Sequence, residues 1–208
     1  MIALLLLTTL LAADLPPGET QAADSHLVAG AQLFRAEKFD QALVEFQVAQ
    51  KLGAADAGWY AASALVKLDR PEQALVAFAQ ASERAPDASD ALLDYYRGVA
   101  CYQAQLYVCA DGLLTSVQAR AGPKIAQLVR ALREKMAKVL TLPPPSSAID
   151  IYLTRAKAFR KGKQPALARL CAQEAAALAN RREDKYRLED ATSELSLANA
   201  VSVLSPRP

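Results

Sequence analysis

The sequence predicts an all-α protein: a short α-solenoid of helix–turn–helix hairpins, then a capping helix and a C-terminal helical hairpin with one extra helix. The first observation behind this is an echo in the small residues. Gly30 and Ala42, Ala62 and Ala74, Gly98 and Ala110, and Ala156 and Ala168 each stand twelve positions apart. Small residues where two helices cross let the backbones approach, and a larger side chain one turn on fills the groove beside the crossing. The second observation is that each pair continues four and seven positions later, as Phe46 and Ala49, Phe78 and Ala81, Leu114 and Val117, and Ala172 and Ala175. The third is compositional. Alanine and leucine dominate, strict alternation is absent, and only 8 glycines punctuate 208 residues, which suits neither a sandwich nor a βαβ array.

The elements follow in order. Residues 1–23 read as a signal peptide or N-terminal anchor, and residues 24–122 as three hairpins. In the first hairpin, over 25–52, Leu27, Gly30, Ala31, Leu33 and Phe34 share one helix, residues 37–40 turn, and Ala42, Leu43, Phe46 and Ala49 share the next. The second, over 56–85, repeats this with Trp59, Ala62, Leu65 and Val66, then Ala74, Leu75, Phe78 and Ala81. Pro71 opens its second helix, where a missing N–H costs nothing, and Pro86 closes the unit. The third, over 91–119, carries Gly98, Cys101 and Tyr102 before its turn at 103–106 and Ala110, Leu113, Leu114 and Val117 after it.

An amphipathic helix over 123–142 places Ile125, Leu128, Val129, Leu132, Met136 and Val139 along one side and five cations along the other. Such a helix either covers the open end of a solenoid or lies on a membrane or partner; the cap is the expectation here. Residues 143–147 form a proline-rich linker, and residues 148–208 a degenerate fourth hairpin and a final helix from about 184 to 204.

These residues resemble the tetratricopeptide repeat family, whose 34-residue unit is a helix–turn–helix with small residues in both helices, an aromatic near the turn and a closing proline. The second hairpin carries most of the likeness, through Ala62, Leu65, Ala74, Phe78, Ala81 and Pro86; the first matches through Gly30, Leu33, Phe39, Ala42, Phe46 and Ala49, and the third through Gly98, Tyr107, Ala110 and Leu114. The resemblance implies a protein or peptide partner held on the inner face of the first helices. Carried across, that face is Leu27, Ala31, Phe34 and Arg35, then Trp59, Ser63, Val66 and Lys67, then Tyr95, Val99, Tyr102 and Gln103. Family members that clamp a terminal carboxylate use asparagines, and residues 25–119 contain none, which disfavours that mode.

Composition narrows the function. Twenty-four basic residues against 22 acidic ones leave a net charge of +2, which supplies no general field for nucleic acid. The uncharged apolar run over 1–13 has the length of a signal-peptide core and is too short to span a bilayer, which needs about 20 residues. A periplasmic or secreted protein is expected, with an inner-membrane anchor as the alternative; the membrane is a partner only through an uncleaved N-terminus. The lone His26 has no ligand partners at metal spacing, and no phosphate loop or nucleophile elbow is present, so no catalytic residue, metal or cofactor is assigned.

Cys101 and Cys109 are equidistant from Gln105, in the middle of the third turn. In an antiparallel hairpin they face each other, which allows either a disulfide in an oxidising compartment or two separate packed thiols. Cys171, at helical spacing from Ala168 and Ala175, reads as core. The chain is thus expected to be a non-enzymatic adapter of the bacterial envelope, with a membrane-tethered assembly accessory or a cytosolic regulator as alternatives.

Overall fold

The structure is a computed structural model that describes residues 17–141 and 146–204. Those residues form ten α-helices and one turn of 3-10 helix, and no strand. The apolar run over 1–13 and most of the proline-rich linker lie outside them. Helices α1 (Pro17–Arg35) and α2 (Phe39–Lys51), α3 (Ala57–Lys67) and α4 (Pro71–Arg84), and α5 (Ala91–Gln103) and α6 (Tyr107–Arg120) pack as successive antiparallel hairpins. Then come α7 (Pro123–Thr141), α8 (Ser146–Lys161), α9 (Pro165–Arg181) and α10 (Lys185–Leu204). The protein is all-helical, and its neighbouring hairpins stack as a short helical solenoid.

The echo of small residues marks the crossings. Ala42, Ala62, Ala74, Ala110, Ala156 and Ala168 are all fully buried, and so are Phe46, Phe78 and Leu114 one turn on. The fit is close enough that a Cβ added at Gly30 would lie 2.6 Å from the Phe46 ring, and one at Gly98 2.9 Å from Leu114 Cδ2. The chain reverses by one recurrent turn. After α1, Lys38 N–H bonds Leu33 C=O and Glu37 N–H bonds Phe34 C=O, a Schellman cap with Glu37 left-handed at φ 60°. The same two bonds recur after α3, α5, α8 and α9, around Asp69, Gln105, Lys163 and Glu183. The fourth hairpin, degenerate in side chains, therefore turns as the first three do.

Two details refine the expected layout. Helix α1 starts at Pro17 and runs through residue 23, and Ala23 is buried. Helix α7 packs on α5 and α6 through Val129, Leu132 and Met136, as a cap does, but Leu128 faces solvent; the side chain of Val139 lies outside the described ones. Arg133, on the basic side, is tied down, donating from Nε to Asp111 at 2.8 Å and from Nη1 to Gln118 at 2.9 Å.

Helices α8, α9 and α10 make a three-helix unit. Arg187 bridges Asp150 of α8 and Asp184 at the start of α10, and its hydrogen bonds hold both carboxyls below their ordinary range. Arg160 of α8 clasps the buried Glu194 of α10 through Nε and Nη2. Through α9 the unit lies on α4 and α6.

Candidate binding face

The first helices of the hairpins, α1, α3 and α5, should form the inner face. Helix α3 has no charged residue between Asp56 and Lys67, and every residue from Ala57 to Val66 is buried except Tyr60. A helix apolar all round is enclosed all round. Three expected face residues are therefore corrected. Trp59 is 1% exposed, stacked at a tilt on Phe78 at 5.8 Å, with its indole N–H donated to Ala85 C=O at 2.9 Å. Ser63 is buried and returns its hydroxyl to Trp59 C=O at 3.0 Å. Val66 is buried, and its C=O accepts from Gln103 Nε2 at 3.2 Å, so Gln103 covers the end of α3.

The remaining expected residues reach the surface. Leu27, Ala31, Phe34, Tyr95, Val99 and Tyr102 are half-buried, while Arg35 and Lys67 are exposed. Several of them gather at one place. Phe34 of α1 meets Phe39, the first residue of α2, edge-on at 5.2 Å and Tyr96 of α5 at 5.9 Å, so α1 and α5 touch across the end of α3. Tyr95 adjoins Tyr96 at 5.7 Å. The Lys67 ammonium lies 5.5 Å from the Phe39 centroid and 5.9 Å from that of Tyr96, within range of the ring quadrupoles. Burial pushes both phenols above their ordinary pKa, so they act as neutral hydrogen-bonding groups. Leu92, 41% exposed on α5, extends the apolar area.

Phe39, Tyr96 and Leu92 were not assigned to this face from the sequence. Leu92 and Tyr96 stand four apart, one helical turn, which was a legible signal; the meeting of Phe39 with Lys67 joins separate hairpins and was not. His26, read as an isolated surface residue, bonds Glu45 at 2.6 Å and joins α1 to α2.

The structure links Cys101 of α5 to Cys109 of α6, with Cα atoms 6.0 Å apart, across the turn between these helices. Cys171 is free and buried on α9, and burial pushes its thiol up to about 11. The bridged turn is also where the C-terminal unit holds the hairpins. Glu174 of α9, 2% exposed, accepts Val108 N–H at 2.8 Å and Cys109 N–H at 3.0 Å, capping the start of α6 from another part of the chain. Tyr152 donates its hydroxyl to Gln105 C=O, and Arg155 Nη1 donates to Ala104 C=O at 3.1 Å. Desolvation raises the Glu174 pKa against these hydrogen bonds, and burial pushes the Tyr152 phenol up to about 12. Nearby, a shallow groove of about 290 Å3 separates Val76, Ala77 and Gln80 of α4 from Gln164 and Leu167.

Among the described residues no helix is long and apolar enough to cross a membrane. The described helices form a short helical-hairpin solenoid with an aromatic and cationic patch where α1, α2 and α5 meet the end of α3. No protein-family model matches the chain, and no curated protein matches it.

Proposed function

We propose that this chain is a non-enzymatic adapter resembling the tetratricopeptide repeat proteins, which holds a protein or peptide partner in the bacterial cell envelope. The observation that carries this reading is the patch of Phe34, Phe39, Tyr95, Tyr96 and Lys67, a cluster of rings from three helices two of which, Phe39 and Tyr96, lie against an exposed ammonium. Rigid aromatic surface beside a cation is the composition of interface anchors. No carboxylate among the described residues lies within ion-pair distance of Lys67, so a partner with an acidic side chain beside an apolar one fits this surface. The apolar run over 1–13 and the Cys101–Cys109 bridge support an exported chain, since disulfides persist in oxidising compartments.

The test is capture from envelope extracts by the full chain and by a Lys67→Glu, Leu92→Ser variant. Both side chains are exposed, so the melting temperature should stay within about 2 °C while the captured partner is lost. Capture that survives the double change would place binding on another surface.

A further inference from the structure

We propose that the Cys101–Cys109 disulfide is a latch that fixes the three-helix unit α8–α10 onto the hairpin stack, and that its reduction releases that unit. Four hydrogen bonds from the unit to the hairpin stack fall within one short stretch. Arg155 holds Ala104 C=O, Tyr152 holds Gln105 C=O, and Glu174 holds the amides of Val108 and Cys109, all within the loop that the disulfide closes. Two carbonyls and two amides must be presented together for those side chains to reach them. The turn around Gln105 is the one that also forms around Asp69 and Lys163 without a bridge, so the disulfide does not create it; it ties together the two helix ends that carry the docked carbonyls and amides.

The rest of the joint is apolar packing of α9 on α4 and α6 with one loose ion pair. Arg155 approaches Glu72 of α4 only to 3.7 Å with the carboxylate half in solvent, and the shallow groove beside Leu167 is a gap in the packing of α9 on α4. Loss of the polar grip would therefore be felt across the unit.

The latch is chemically accessible from one side. Cys101 is fully buried, whereas Cys109 is only half-buried, so Cys109 is the cysteine of the pair nearer to solvent. A thiolate of a dithiol reductant bonds to Cys109 Sγ while the S–S bond breaks and Cys101 leaves as thiolate; the second thiol of the reductant then displaces Cys109 and closes the reductant's own disulfide. Two electrons and two protons pass to the chain, leaving two cysteine thiols. Cys171, close to the dock on α9, stays protonated because its thiol is pushed up to about 11, so it does not open the bridge from within.

Hydrogen exchange on the full chain tests the latch, with dithiothreitol and without it, alongside a thiol count on denatured protein. The count should give one free thiol without reductant and three with it. Reduction should speed exchange at the amides of Val108 and Cys109 and through α8–α10 by about tenfold or more, while α1–α4 are unchanged. Glu174→Ala in the oxidised chain should release the same helices without any reductant. Unchanged exchange in α8–α10 after complete reduction, a rise spread evenly over α1–α6, three free thiols before reduction, or no release in Glu174→Ala would each overturn the proposal.

Discussion

Glu37, Asp69, Gln105, Lys163 and Glu183 occupy the same left-handed position in five turns where glycine would be free of strain, and among the described residues only the turn after α2 uses one, Gly53. Each bears a Cβ close to the following carbonyl, a cost of about 1 kcal/mol. Glu37 is exposed, so Glu37→Gly should raise stability by about 0.5–1 kcal/mol in urea denaturation; a loss would mean that the glutamate side chain contributes to the folded state. Trp59 shows the opposite case. Its position on the inner side of a first helix reads as a binding residue, yet the indole fills the core and bonds Ala85 C=O. Trp59→Ala should therefore cost about 3–5 kcal/mol. A variant that unfolds within about 1 kcal/mol of the parent would return Trp59 to the surface.

At the scale of the element, the small-residue pairs were legible because helix crossings impose a spacing that no other use of alanine requires. The enclosure of α3 was also written in the sequence, as an uninterrupted run without charge from Ala57 to Val66, but the repeat phase drew attention to one side of that helix only. Glu174 was not legible: a single glutamate among alanines reads as solvent-facing, and its partners at the start of α6 lie 65 and 66 residues away. Removing it leaves buried amides without an acceptor, so Glu174→Ala should cost about 1–3 kcal/mol for each amide that stays dry. Glu174→Gln keeps one acceptor oxygen and removes the charge. Burial raises the Glu174 pKa in the folded protein even against the backbone amides and Arg181, with Tyr152 and Cys171 alongside. The folded state then binds the proton at a pH where the unfolded chain has lost it, so the stabilisation from protonation is complete below the unfolded pKa and is lost as pH rises through the folded one. The parent should thus gain on Glu174→Gln as pH falls from 7 toward about 4, measured by urea denaturation across that window. A difference that is flat or reversed with pH would mean that the carboxylate is solvated.

For the whole molecule, the order of hairpins, cap and C-terminal helices was readable because each unit is local in sequence. The docking of α8–α10 was not, since Tyr152, Arg155 and Glu174 recognise backbone groups, which any sequence displays. The binding patch falls between these cases: Phe34, Lys67 and Tyr95 were expected on one face, while Phe39, Tyr96 and Leu92 join them only because α1 and α5 meet over the end of α3. The proposed function requires this patch, rather than another side of the solenoid, to hold the partner. Photo-crosslinking tests it most directly, with the reactive residue placed in turn at Leu92 on the inner face and at Val44 on α2, which are 41% and 56% exposed. In cells the Leu92 position should yield a discrete crosslinked protein that the Val44 position lacks; equal crosslinking at both, or a product at Val44 alone, would contradict the account.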